Sequence, residues 1–286
     1  MERSSNAMSD DGATHFVTLP PEVHGGVAPS GPLRATRPLD LAGPKRVAIV
    51  GSRVASAECL HFAAELASIL AARGAIVVSG GALGIDAAAH EGALAAGGIT
   101  WVALPSGYPN VFPPENVELF ERVRRSRGAL LWTMKDGALP LRPHFLTRNG
   151  VLVALSSAVV VVAAGIKSGA RNAAGWARKL GRRLYVVAGP PWLPEFSGTM
   201  LELVAGARPI LSTVELVRDL LGDPSQTPPD PRYHYIFQHL CAEPLHFDVL
   251  VERSAADPAK LRAHLVELCL EGRVQEIAGS YKVVGF

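Results

Sequence analysis

Cysteine is scarce in this chain, three in 286 residues, at Cys59, Cys241 and Cys269. Widely separated and set in or beside helical patterns, they argue against a disulfide framework or a cysteine-built metal site and point to reduced thiols. Long apolar runs are also missing. The longest, Val151 to Gly165, is interrupted by Ser156-Ser157 and is too short to cross a bilayer. The N-terminus lacks the basic, then apolar, then small-residue order of a secretory signal. We therefore expect a cytoplasmic protein with no membrane segment. Two phosphate-binding fingerprints are absent as well: no G-x-G-x-x-G follows a strand, and G-x-x-x-x-G-K-[ST] does not occur. Neither a cofactor nor a metal is implied.

What the chain does contain is concentrated in AIVVSGGALGIDAAAHEGAL, Ala75 to Leu94. The run Ile76, Val77, Val78 reads as a buried parallel strand. It stops at Ser79-Gly80-Gly81, continues to Gly84, and Asp86 opens a helix of small residues. Glycines permit close approach of the backbone, and the free N–H groups and dipole of a helix start favour an anion. Val47 to Val50, followed by Gly51-Ser52-Arg53 and a helix through Arg73, repeats the device with an arginine added. A structural role is the other reading: the glycines serve a tight strand-to-helix turn and close helix–sheet packing.

Apolar runs at 47–50, 75–78, 99–104, 129–132, 158–163, 184–187 and 209–211 read as strands. Helical patterns follow most of them, near 55–72, 86–97, 114–126, 147–155, 169–180, 198–205 and 212–221. Continuous Val, Ile and Leu runs suit strands covered on both faces, and repeated strand–helix units imply right-handed crossovers. The expected fold class is a Rossmann-like, doubly wound, mostly parallel α/β sheet. Its ligands belong at the C-terminal strand ends, where every glycine turn falls. Residues 1–43, rich in Gly, Pro and Ser, are expected to be a flexible segment, 44–222 the α/β domain and 223–231 a proline-rich linker. Residues 232–286 read as three helices and a hairpin, a small winged-helix domain.

Charge is unevenly shared. Lys45 to Leu221 holds 19 Lys and Arg against 12 Asp and Glu, whereas Arg232 to Phe286 holds 6 against 7. A basic central domain fits a polyanion partner. The last helix of the small domain carries Lys260 and Arg262 but also Glu267 and Glu271, so a protein-contact or accessory role is expected of it rather than DNA reading.

The ordered motifs carry a resemblance. SGGALGIDAAAHEGAL (Ser79 to Leu94), ALPSGY (Ala103 to Tyr108), FPPEN (Phe112 to Asn116), FLTRN (Phe145 to Asn149), KSG (Lys167 to Gly169) and SGTMLELVAGA (Ser197 to Ala207) stand in this order. With GSR at Gly51 to Arg53, they resemble the DNA-processing protein A family (DprA/Smf), over roughly Arg46 to Leu221. The resemblance implies single-stranded DNA binding without catalysis and loading of a RecA-type recombinase in recombination and natural transformation. It also implies a homodimer. The nucleic-acid-binding residues it points to are Gly51, Ser52, Arg53, Gly80, Gly81, Gly84, Phe145, Arg148, Asn149, Lys167, Ser168 and Gly169.

Individual positions keep two readings. Phe145 stacks a base or forms a hydrophobic staple. Asp86 is expected to be the helix N-cap organising the glycine turn, and His90 a packed histidine. The chain also departs from the family. Leu83 and Gly150 stand where the family has arginine, and two family glutamates are missing near Leu131–Thr133 and Val162-Ala163. Arg171, in ARNAA after KSG, restores one charge. The alternative is a nucleotide sensor or nucleotide N-glycosidase on a similar Rossmann fold, as in the Lonely Guy family. That family's PGGxGT-x-x-E is absent, and Glu91 lies most of two helical turns beyond the glycines.

Overall fold

The computed structural model describes residues 14–19, 32–222, 231–240 and 244–283. Two compact units make up the chain, Met1–Glu215 and Leu216–Phe286. The family of βα repeats occupies the first. Its elements are β3 (Arg46–Val50), α1 (Ala57–Ala72), β4 (Ile76–Ser79), α2 (Ile85–Ala95), β5 (Ile99–Leu104), α3 (Val117–Arg125) and β6 (Ala129–Trp132). Next come α4 (Arg142–Ala154), β7 (Ala158–Val161), α5 (Gly169–Lys179), β8 (Arg183–Val186), α6 (Ser197–Val204) and β9 (Arg208–Pro209), and α7 (Thr213–Leu221) follows.

The sheet has nine strands, including β1 (His15–Val17) and β2 (Leu33–Ala35), in the order β1-β2-β6-β5-β4-β3-β7-β8-β9. From β6 to β9 every pairing is parallel. The order reverses at β3, which pairs with β4 on one side and β7 on the other. Here the crevice opens between two crossovers that leave in opposite directions, which is where doubly wound sheets take their ligands.

Alternation explains the unbroken apolar runs. Ala48, Val50, Val78, Trp101 and Ala103 join the core beneath α4 and α5. Val102, Leu104, Leu130 and Trp132 face the other way, against Leu119, Phe120 and Val123 of α3. With both sides covered, neither face of a strand can be polar.

One expectation is corrected at the N-terminus. Residues 1–43 are not merely a flexible lead, because β1 and β2 extend the sheet antiparallel from β6. Arg34 secures them, its guanidinium 4.5 Å from the Tyr108 ring centroid, 5.0 Å from that of Phe16 and 3.2 Å from Asp136. Strands of three residues carry no periodicity to read, and their partner lies about a hundred residues away. Residues 1–13 and 20–31, the linker apart from Pro231, and Cys241 lie outside the described residues.

The second unit holds a short helix α8 (His234–Phe237), α9 (Phe247–Ser254) and α10 (Pro258–Leu270), with β10 (Leu245–His246), β11 (Val274–Ile277) and β12 (Ser280–Val283) in the order β10-β12-β11. Tyr233, Ile236, Leu250, Leu261, Leu265 and Leu268 form its core. The first of the three expected helices is short: a 3-10 turn at Pro231–Tyr233 leads into one α-helical turn. Arg262, one of the two cations of α10 noted in the sequence, sits 4.6 Å from the Phe247 ring centroid.

His90 is fully buried on α2. Thr100 Oγ1 donates to the Val77 carbonyl (3.0 Å), so the 2.7 Å contact with His90 uses the imidazole Nδ1–H as donor. Nε2 is left without a partner among the described residues. Burial, with a smaller contribution from Arg148, holds this imidazole down at about 3 against an ordinary 6.5. The native state therefore binds fewer protons than the unfolded chain, and stability is lost as pH falls from 6.5 towards 3. Between pH 7 and pH 5 the loss amounts to about 2 kcal/mol. Urea unfolding at both pH values checks this: in His90→Gln that part of the decline disappears, and an equal decline in both proteins excludes His90 as its source.

Candidate nucleic-acid interface

A groove of about 650 Å³ opens at the reversal between β3 and β7. Gly51, Ser52 and Arg53 line it from the turn after β3. Arg142, Phe145, Leu146, Arg148 and Asn149 line it from α4, and Lys167, Ser168 and Gly169 from the loop before α5. Nine of the twelve residues expected from sequence are thus brought together. Gly80 borders a smaller cavity of about 200 Å³ with Leu83, Phe112 and Pro113, while Gly81 and Gly84 line neither space.

Three cations reach the groove from exposed positions: Arg53, Arg142 and Lys167. No carboxylate pairs with them among the described residues. Arg53 lies over the Phe145 ring at 5.1 Å, and Phe112 meets that ring edge-on at 5.6 Å. Ser168 caps α5 by accepting from the Ala170 N–H (3.2 Å), so the positive end of that helix borders the groove beside Lys167. Asn149 Nδ2 donates to the Gly169 carbonyl (3.1 Å) and Asn172 Oδ1 (3.3 Å), which ties α4 to the start of α5. Asn149 is therefore a brace for the loop as well as part of its wall.

Arg142 is the groove cation that sequence reasoning missed. The helix expected at 147–155 begins at Arg142, with Pro143 in its first turn. Arg142, Phe145, Leu146 and Asn149 follow the i, i+3, i+4, i+7 spacing of one helix face. That spacing was available in the sequence, but Pro143 reads as a break unless it is placed in the first turn.

Arg148 is not the exposed phosphate contact expected of it. In mid-helix on α4 it is 5 % exposed and donates to the Ala103 carbonyl (2.9 Å). Asp86 is its buried counter-charge. Burial pushes the Asp86 carboxyl up and the Arg148 guanidinium down, and each draws the other back towards its charged form. A Cβ on Gly80 would overlap the Arg148 guanidinium, so Gly80 is small to admit that arginine.

The glycine turn after β4 is also corrected. Gly84, not Asp86, is the N-cap of α2. Asp86 lies in the first turn, and its carboxylate accepts from the Gly80 N–H (3.1 Å) and the Ala82 N–H (3.4 Å). The chain's own carboxylate fills the backbone nest in which a phosphate was expected. Gly81 and Gly84 adopt φ of +67° and +77° and pack against Phe120 and the Ser52 and Arg53 carbonyls. Their role is to shape the turn that carries Arg53.

Arg171 does not restore a free charge. Its Nε donates to Glu202 Oε1 (2.8 Å) and its terminal nitrogen to the Ile166 carbonyl (2.8 Å), while Arg178 holds the other Glu202 oxygen. Glu202 is 1 % exposed. Glu91 accepts two 2.7 Å hydrogen bonds from Arg122 on the surface and lines neither cavity. Among the described residues no group of His, Cys, Asp and Glu is arranged to hold a metal ion, and no helix is long and apolar enough to cross a membrane.

Comparison with known proteins gives this geometry a family. The model for the DNA recombination-mediator protein A family matches residues 37–221, and that for the DprA winged-helix domain matches 222–280. The putative DNA processing protein DprA of Mycobacterium tuberculosis is 43% identical over 199 residues, covering 68% of this chain and 50% of that protein. Protein Smf of Escherichia coli is 28% identical over 250 residues, 82% of this chain and 67% of its own length. The chain thus spans about half the length of the first of these relatives. The solved DNA processing protein A of Helicobacter pylori, described for its single-stranded DNA binding mode, superposes with a TM-score of 0.66 at 28% identity. That match covers 75% of this chain and 98% of the other. With an α/β domain, a winged-helix domain and the motif series all in register, this chain belongs to the DprA/Smf family of DNA recombination-mediator proteins.

Proposed function

We propose that the chain binds single-stranded DNA in the groove between β3 and β7, without chemistry, and hands it to a RecA-type recombinase. The observation that carries this reading is a groove lined by three exposed cations without a carboxylate partner among the described residues, Arg53, Arg142 and Lys167, together with Phe145, whose ring lies beside Arg53. Phosphates meet the guanidinium and ammonium groups and the N-terminus of α5, and a base stacks on Phe145. The single-strand binding described for the Helicobacter pylori protein supports the same use of the fold. Work as a homodimer in the cytoplasm, in recombination and natural transformation, is part of the proposal.

Nucleotide hydrolysis is not favoured. It needs a carboxylate at the glycine turn facing the ligand. Asp86 does border the groove, but its buried carboxylate is taken up by the Gly80 and Ala82 N–H groups, and Glu91 is held by Arg122.

Titration of a labelled oligothymidine tests the reading. Arg53→Ala and Lys167→Ala each weaken binding about tenfold at low salt and lower the salt slope by about 1, as expected for lost phosphate contacts. Oligothymidine that fails to bind at low salt, or variants with unchanged slopes, removes the groove as the site. Co-precipitation with RecA checks the partner.

A further inference from the structure

Three of the four tryptophans belong to the fold: Trp101 and Trp132 are buried, and Trp176 packs against the α5 side of the core. Trp192 is 78 % exposed. Its loop runs from β8 to α6, on the sheet edge that carries the groove. Strand order sets β3, β7 and β8 side by side, roughly 4.8 Å apart. Arg53 follows β3, Lys167 follows β7 and Trp192 follows β8, so the loops that carry the two cations and this tryptophan succeed one another along the edge.

The loop is anchored next to the groove. Glu195 Oε2 accepts from the Ser56 N–H (3.1 Å) at the start of α1, and the Gly198 N–H donates to the Ala164 carbonyl (2.7 Å) at the end of β7. The Pro194 carbonyl oxygen lies against Gly165, a groove residue, and Trp192 stands two residues before it, about 7 Å of chain. Within the loop, the Leu193 N–H donates to the Pro190 carbonyl (3.0 Å), and Pro190, Pro191 and Pro194 stiffen the backbone. A tryptophan exposed on a rigid loop loses little freedom when a flat ring covers it. Ile166 and Val54, 58 % and 87 % exposed on the Lys167 and Arg53 loops, continue the apolar rim.

We propose that Trp192 is a second stacking platform for single-stranded nucleic acid, carrying the bound strand past Lys167 and over the end of β8. This rests on the reading of the groove as a single-strand site. The occupant is a base of the strand held by Arg53 and Lys167, because the platform continues that row of cations and no carboxylate interrupts it at Lys167.

Oligothymidine binding is followed by anisotropy of the labelled strand and by intrinsic tryptophan fluorescence. Trp101 and Trp132 are shielded, and a Trp176→Phe background removes the half-buried Trp176, so that Trp192 carries the quenchable emission. The strand quenches the wild-type protein. Trp192→Phe keeps affinity within about twofold while the quench disappears, and Trp192→Ala weakens binding about tenfold. Both substitutions are at the surface and leave the melting temperature unchanged. Wild-type affinity in Trp192→Ala, with Lys167→Ala still defective, overturns the platform and leaves the groove reading standing. Weakened binding without any wild-type quench also overturns it, as does a lower sedimentation mass of Trp192→Ala at unchanged affinity, which identifies a second copy as the occupant. Absence of oligothymidine binding in the wild type defeats the groove reading and this proposal together.

Discussion

Replacement of Arg148 by alanine lowers the unfolding free energy by about 2–3 kcal/mol, the effect expected when a buried donor is removed from its acceptor and a nearby buried carboxylate loses a favourable charge. Asp86 then loses the nearby positive charge that favours its ionised form and keeps backbone N–H partners at Gly80, Ala82 and Gly51. The Ala103 carbonyl loses its 2.9 Å donor, and the space beside Gly80 stands empty. DNA affinity falls in this variant because the turn carrying Arg53 is no longer held. The control is Arg148→Met with Asp86→Asn, which removes both charges at similar volume. That pair recovers a large part of the stability, since desolvating the two ions offsets much of their attraction. Urea unfolding of the three proteins, with oligothymidine binding measured beside it, decides the matter. An Arg148→Ala protein within about 1 kcal/mol of wild type but unable to bind DNA makes Arg148 a phosphate ligand after all.

Gly84→Ala lowers stability by about 3 kcal/mol and the melting temperature by about 6–12 °C. With φ near +77° and ψ near −127°, Gly84 occupies a backbone conformation that an L-residue rarely adopts. A Cβ there lies 2.4 Å from the Ser52 carbonyl oxygen and 2.7 Å from that of Arg53. Nothing flexible can move aside, because both atoms are main chain and the Ile85 N–H already donates to Ser52 (3.2 Å). The turn bearing Arg53 is displaced, so affinity for single strands falls although Gly84 lines no part of the groove. Calorimetry together with oligothymidine titration checks both effects. A variant with wild-type melting and selectively lost binding shows that Gly84 meets the ligand directly.

These substitutions mark the boundary between what sequence and tertiary structure decide. The βα order, the parallel sheet and the placement of turns at one edge follow from local pattern. Val47 to Val50, Ile76 to Val78 and Ala158 to Val161 have no polar face, and an alternating register is excluded for them. The motif order from Gly51-Ser52-Arg53 to Lys167-Ser168-Gly169 is likewise a property of the chain alone, and so is the family it marks. β1 and β2 were not legible, because three-residue strands acquire their identity from pairing, β2 with the distant β6 and β1 with β2. The start of α4 was obscured by Pro143, which breaks a helix interior yet suits a first turn. Which arginine faces the ligand was decided only by folding. Arg53, Arg142, Arg148 and Arg171 are the same residue type in similar local settings. Position on a helix face and the nearest buried carboxylate separate them. Asp86 claims Arg148 for the interior and Glu202 claims Arg171, leaving Arg53 and Arg142 beside Lys167 in the groove. Sequence supplies the charges, but their partners are set by contacts between residues far apart in the chain, since a buried carboxylate must hold its counter-charge wherever the packing brings one.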